Sequence, residues 1–227
     1  MTVTDPVDRH LAELERRLSG PSRTRRSMLR EARDGLVDAV AAHRRCGLDA
    51  HEAAAKAVRD FGSVREIAPL YQDELVARQG RWAALLLLVV FPGLTLGWGM
   101  LWRLGVRWES EPASDLVVAL ARLQDTASAV VAVVALVLLA VTFRRAAPAR
   151  QVAVLVSLTG VVGAVVCGGT GLVMNLANGS AGRELVEANP YAVPAFGCSA
   201  LLCALVLRSA VRTLLVAGSP VPTAPER

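Results

Sequence analysis

The chain has 227 residues, 53% hydrophobic and 20% charged, with a formal net charge of +5 and a mean hydropathy of +0.42. That is too apolar for an ordinary soluble globule and too charged for a chain made only of bilayer-spanning helices, so the average conceals two unlike parts. Residues 1–80 hold fourteen of the 25 basic and thirteen of the 20 acidic side chains, a balance near +1, whereas residues 81–227 hold eleven and seven, near +4, against an apolar background.

The basic excess is arginine apart from Lys56, and it flanks the apolar stretches instead of forming one clustered face. Anionic lipid heads explain such a distribution better than phosphate backbones do, and no direct nucleic-acid binding is expected. Cys46, Cys167, Cys198 and Cys203 are too few and too scattered for a disulfide framework. The start MTVTDPVDRH has no apolar signal-peptide core, and the first long apolar run begins near Trp82, so the amino-terminal part is expected to stay in the cytosol.

Four helices are expected in residues 1–80. Thr4 or Asp5 ahead of Pro6 marks a start, because proline lacks an N–H that the first turn would leave unpaired. Val7, Leu11, Leu14 and Leu18 then recur at helical spacing as far as the turn Ser19-Gly20-Pro21. A second helix starts near Ser22, carries Met28, Leu29, Ala32, Leu36, Val37 and Val40, and ends at Cys46 with Gly47 beyond it. Asp49 and Glu52 form a capping-box start for a third, which buries Ala53, Ala54, Ala57, Val58 and Phe61 and stops at Gly62. Ser63 and Glu66 repeat the signature for a fourth, with Ile67, Leu70, Tyr71 and Leu75 inward, which meets Arg78, Gly80 and Arg81 at the apolar boundary.

Beyond residue 80 four stretches are long enough to cross about 30 Å of hydrocarbon at 1.5 Å per residue: 82–102, interrupted by Pro92-Gly93, then 127–143, 152–174 and 192–207. Leu116-Val117-Val118-Ala119-Leu120 is read as an interfacial helix ahead of the second span, an early start of that span being the alternative. Residues 217–227, with Pro220, Pro222 and Pro225, are expected to form a disordered cytoplasmic tail. The fold expected is thus all-α, a small cytoplasmic helical domain followed by a four-helix transmembrane bundle.

Orientation follows from arginines near the spans. With the amino terminus inside, Arg78, Arg81, Arg144, Arg145, Arg150, Arg208 and Arg212 are cytoplasmic, and Arg103, Arg107, Arg122 and Arg183 are external. Both termini then lie in the cytosol of a multi-pass protein of the inner (plasma) membrane. Trp82 anchors the inner interface, while Trp98, Trp102, Trp108 and Tyr191 gather at the outer one.

The core stretches of the spans contain no ionisable residue of the kind that marks a proton path or ion site. Ser128, Ser157, Thr159, Thr170 and Asn175 are expected to hydrogen-bond between helices. Gly160, Ala164 and Gly168, and again Gly163, Cys167 and Gly171, recur every four residues, giving the third span two small-residue faces for packing within the bundle or in a homo-oligomer. In the polar part, Arg23, Arg25, Arg26, Arg30 and Arg33 form the densest basic cluster, diluted by Glu31, Asp34 and Asp38, and are expected to face solvent, membrane lipids or a protein partner. His43 and Cys46 lack the further ligands that zinc needs, with only His10 and His51 elsewhere. With no phosphate loop, zinc-protease motif or nucleophile elbow, no enzyme activity, metal or cofactor is expected.

The run Leu29-Arg30-Glu31-Ala32-Arg33-Asp34-Gly35-Leu36-Val37-Asp38, then Cys46-Gly47-Leu48-Asp49, Glu52-Ala53, Ala57-Val58 and Phe61-Gly62-Ser63-Val64-Arg65-Glu66-Ile67-Ala68, resembles the actinobacterial permease prefix domain 1, related to the HAAS signalling domains. The resemblance covers roughly residues 7–77. It implies a helical cytoplasmic module ahead of transmembrane helices, in genes that often neighbour PadR-type transcriptional regulators. The function expected is a non-catalytic signalling or regulatory one, linked to a PadR-type regulator. The alternatives are an accessory or permease-like transporter subunit, working with a transporter ATPase, and a structural membrane scaffold.

Overall fold

A computed structural model describes residues 6–104, 114–144, 146–177 and 191–218. Every element among them is a helix and none is a strand. In chain order these are α1 (Pro6–Arg17), α2 (Ser22–Arg45), α3 (Ala50–Phe61), α4 (Val64–Leu104), α5 (Asp115–Phe143), α6 (Ala149–Ala177) and α7 (Ala192–Gly218). The chain divides into two compact units, one formed by Met1–Arg78 with Val216–Arg227 and the other by Gln79–Leu215.

In the first unit the helix ends follow from local chemistry. Asp49 caps α3 by accepting from the Glu52 amide at 2.8 Å, satisfying one of the four amides that a helix start leaves unpaired. Ahead of α4, Glu66 reaches back to accept from the Ser63 hydroxyl at 2.7 Å and the Ser63 amide at 3.0 Å, and these two bonds hold its carboxyl below the usual carboxylate range. Gly62 has φ +104° and Gly47 φ +93°, conformations that an L side chain resists. Both therefore end the helices before them, α3 and α2.

The apolar stripes make two contiguous clusters. Leu14, Leu18 and Met28 pack with Val64, Ile67, Ala68 and Leu75; Val7, Leu11, Ala32 and Leu36 pack with Ala54 and Ala57. Phe61 and Tyr71 border both. Two residues expected inward are not: Leu70 is 69% exposed and Val37 is 54% exposed. In the first unit the buried positions of α4 are 64, 67, 68, 72, 75 and 76, and Leu70 lies off that stripe.

Gln72 occupies the stripe in place of an apolar residue and is 1% exposed. Its Oε1 accepts from the Ser19 amide at 3.0 Å, while its Nε2 donates to the Ser19 carbonyl at 2.9 Å and to the Val216 carbonyl at 3.4 Å. A buried amide needs such partners, and here they join the α1–α2 turn to the last turn of α7. Residues 217 and 218, expected in a disordered tail, are instead ordered: Ala217 is buried and Gly218 is helical, and residues 219–227 lie outside the described residues.

The second unit reverses the usual burial pattern. Its centre is Ala83, Ala84, Leu87, Val90 and Phe91 of α4 with Val131, Ala135 and Leu139 of α5, Val152, Val156 and Ala164 of α6, and Val206 of α7. Yet large apolar side chains also cover its outside, among them Leu96, Val133, Val162, Leu172 and Leu201. Val37 and Leu70 are the only large hydrophobics exposed among the described residues of the first unit. So much contiguous apolar surface is incompatible with water and suits hydrocarbon as the solvent. The helices α4–α7 are each long and apolar enough to cross a membrane.

Three boundaries differ from expectation. The fourth polar helix and the first span are one helix, α4, which runs through Pro69, Gly80 and Pro92. Residues 116–121 are not a separate interfacial helix: α5 runs unbroken from Asp115, capped by the Ser114 hydroxyl, and its 29 residues are about 43 Å long. That exceeds the ~30 Å of a hydrocarbon core, so the exposed Arg122 and Asp125 can lie on the same helix outside the hydrocarbon. Likewise α7 continues beyond 207 to Gly218, with Arg208 and Arg212 on its exposed side.

Candidate functional site

In the first unit the arginine cluster separates into two groups. Arg33 pairs with Asp8 at 2.6 Å. Arg25 donates to the Leu18 carbonyl at 3.2 Å and pairs with Glu15 at 3.7 Å, placing a cation at the carboxyl end of α1, where the helix dipole favours it. These two residues hold α1 against α2. Arg23, Arg26 and Arg30 remain exposed at three- and four-residue spacing on one face of α2, with the Arg26 Nε donating to the Ser22 carbonyl. Arg33 is exposed as well but is paired with Asp8, and Arg25 is partly buried against α1.

The histidines and Cys46 do not converge. His43 lies 3.0 Å from Asp60, which also forms an ion pair with Lys56 at 3.6 Å, and Cys46 is exposed at the end of α2. Among the described residues no three His, Cys, Asp or Glu side chains come together in a metal-binding group. His10 is buried edge-on against Phe61, with ring centroids 5.8 Å apart, and its Nε2 has no hydrogen-bond partner among the described residues. Burial holds its pKa below 6.5, opposed by the Glu13 charge. Because the unfolded chain takes up this proton more readily, stability is full above pH 6.5 and falls as the pH drops below it toward the folded-state value. The protection factors of α1 in the full chain, corrected for the intrinsic pH dependence of amide exchange, are expected to fall below pH 6.5, and the His10→Phe variant to lose that dependence.

In the second unit the polar side chains do two jobs. Thr95 donates to Ser128 at 2.9 Å, joining α4 to α5, and Thr170 donates to Gln124 at 3.2 Å, joining α6 to α5. The Trp98 Nε1 donates to Ser199 at 3.0 Å and Gln79 donates to Thr213 at 3.3 Å, both joining α4 to α7. Ser157, Thr159 and Asn175, expected to bond between helices, instead donate to carbonyls four residues earlier in α6 at 2.8 Å. Such back-bonding satisfies a hydroxyl or amide in hydrocarbon without a neighbour. Thr95, Gln124 and Ser199 were not singled out from sequence, and Trp98 only as an interface anchor; a scan for any hydrogen-bonding side chain at the inward positions of the spans would have found them. A double-mutant cycle of Thr95→Val and Ser128→Ala is expected to give a coupling of about 0.6 kcal/mol in unfolding from micelles, the scale of interhelical hydrogen bonds in membranes.

The small residues of α6 also divide. A Cβ on Gly163 would lie 2.7 Å from Phe91 Cζ and 2.8 Å from Val131 Cγ2, and one on Gly160 would lie 3.2 Å from Leu87 Cδ2. Ala164 is in the same core. Gly168 and Gly171 meet nothing within 4 Å. The first three residues let α4, α5 and α7 approach α6, whereas the last two take no part in packing among the described residues.

Of the aromatic residues expected at one interface, Trp98 and Tyr191 line one cleft. Trp108, like Arg107, Arg145 and Arg183, lies outside the described residues. Comparison with known proteins adds no relative: no family model, curated protein or solved structure matches the chain.

Proposed function

We propose that the chain is a non-catalytic regulatory protein of the inner (plasma) membrane, its first unit in the cytosol, and that it acts together with a PadR-type transcriptional regulator. The observation that carries the reading is the division of α4. One helix supplies Ile67, Ala68 and Leu75 to the core of the polar unit and Ala83, Ala84 and Leu87 to the core of the apolar unit. A repacking of the spans, driven by an external or membrane signal, therefore acts on an element that the polar unit also needs for its own core. The arginine bias toward the cytosolic side and the resemblance of residues 7–77 to the permease prefix domain support the same assignment. The exposed Arg23, Arg26 and Arg30 face is the part of the polar unit offered to a partner or to anionic lipid.

Crosslinking in native membranes followed by affinity capture tests the reading. A PadR-type regulator recovered with the chain, and lost on Arg23→Glu/Arg26→Glu/Arg30→Glu, is the expected result. Recovery of a transporter ATPase in its place would assign the chain to transport, and recovery of neither would contradict both.

A further inference from the structure

The polar unit is closed by a piece of chain far from it in sequence. Val216 and Ala217, in the last turn of α7, are each 7% exposed and belong to the same compact unit as Met1–Arg78. They continue one buried stripe of α7, at positions 206, 210, 213, 216 and 217, which begins with Val206 in the core of the apolar unit. Ten residues of helix separate Val206 from Val216, about 15 Å, and a helix carries a turn or shift of one end to the other.

What Val216 meets is the turn between α1 and α2. Its carbonyl is among the last four of α7, which a helix leaves without an internal partner, and the Gln72 Nε2 donates to it at 3.4 Å. The same side chain holds the Ser19 amide at 3.0 Å and the Ser19 carbonyl at 2.9 Å. Gly20 rests on both helices: a Cβ there would lie 3.7 Å from Leu75 Cδ1 of α4 and 3.8 Å from Val216 Cγ1 of α7. An apolar side chain at position 72 would extend the stripe of α4 and select no partner. A glutamine only 1% exposed is fully satisfied only while Ser19 and Val216 stand where they do. Neither apolar cluster of the polar unit includes a residue of α7. The end of α7 can therefore lift without dismantling that core, which α4 cannot do, because Val64, Ile67, Ala68 and Leu75 are part of it.

We propose that the last turn of α7 is a releasable strap on the polar unit, and that Gln72 is the positioning residue through which a displacement of α7 reaches the α1–α2 turn. A rotation or axial shift of α7 withdraws the Val216 carbonyl, leaves one hydrogen of the Gln72 amide unpaired in a buried site, and loosens the turn from which α2 starts. This is a second route into the polar unit beside α4, and it acts on the turn instead of the core. It stands whether or not the protein serves a regulator.

Residue-resolved hydrogen exchange of the full chain in micelles provides the test. It is read at the Leu18 and Arg25 amides, which bracket the turn and donate to the Glu15 and Pro21 carbonyls, so that neither depends on Gln72 for its own bond. One alanine inserted after Leu215 turns Val216 by about 100° and moves it by about 1.5 Å. Protection of both amides is expected to fall by about fivefold or more, the scale of one buried hydrogen bond. The α3 amides should stay within about twofold of wild type, and the same insertion after Gly218, beyond the strap, should change neither set. Gln72→Met, which keeps the length of the side chain and removes its hydrogen bonds, should lower protection of Leu18 and Arg25 by itself. The insertion after Leu215 should then add less than about twofold in the Gln72→Met chain, because the connection is already cut. Indifference of Leu18 and Arg25 to the insertion, or to Gln72→Met, overturns the proposal. So does a loss of α3 protection in step with theirs, which would mean that the whole unit loosens. An equal effect of the insertion with Gln72 and with Met at position 72 overturns it as well, since the packing of Val216 and not the amide would then be the link.

Discussion

Leu14→Ala is expected to destabilise the polar unit by about 2–5 kcal/mol. Leu14 is 0% exposed and touches α2 and α4 neighbours through Met28, Ile67 and Leu75, so the truncation removes both transfer energy and contacts that the surrounding helices cannot easily restore. A unit of this size has only about 4–11 kcal/mol of stability to lose, at 0.05–0.15 kcal/mol per residue. Hydrogen exchange on the full chain should show α1–α3 protection falling by about 1.5 orders of magnitude or more, with the spans unaffected. Leu70→Ala on α4 should change little, because Leu70 is exposed. The pair separates the buried stripe from the merely apolar positions beside it.

Gly163→Leu is expected to be the most damaging substitution in the apolar unit, at about 3 kcal/mol or more, with Gly163→Ala costing about 1–3 kcal/mol. The first added carbon already overlaps Val131 Cγ2, on a β-branched side chain with few rotamers, and Phe91, itself only 3% exposed. Neither can retreat without opening the contact of α6 with α4 and α5. Gly168→Leu, five residues along the same helix, should be within about 0.5 kcal/mol of wild type, since its Cβ meets nothing. Reversible unfolding of both variants in mixed micelles measures the difference. Damage from Gly168→Leu with tolerance of Gly163→Leu would move the helix contact toward the carboxyl-terminal half of α6 and imply a partner chain there.

These two cases also mark how far the sequence could be read. Leu14 was legible, because its spacing with Val7, Leu11 and Leu18 and the turn after Leu18 leave one face for the core. The caps at Asp49 and Ser63 were legible too, since a short acceptor followed three residues later by a glutamate has a local geometry that needs no tertiary partner. Gly163 and Gly168 were not separable. Both sit in four-residue series of small residues, and only the positions of Phe91 and Val131, more than thirty residues away in sequence, distinguish them.

The same limit applies to the hydroxyls. Ser128 and Ser157 are alike in sequence context, but Ser128 faces Thr95 and bonds across helices, whereas Ser157 returns its proton to Ala153. Boundaries failed for a different reason. The Gly80-Arg81 pair read as a boundary, but α4 continues through it, as it does through Pro92, which the expected first span already contained. Tertiary and lipid surroundings, which no local pattern contains, decide each of these.

The central claim is that a polar helical unit on the cytosolic face is followed by four membrane crossings, and reporter fusions at residues 80, 112 and 182 test it most directly. A cytosolic signal at residue 80 with external signals at 112 and 182 is predicted; an external signal at residue 80, or a cytosolic one at 112, would contradict it.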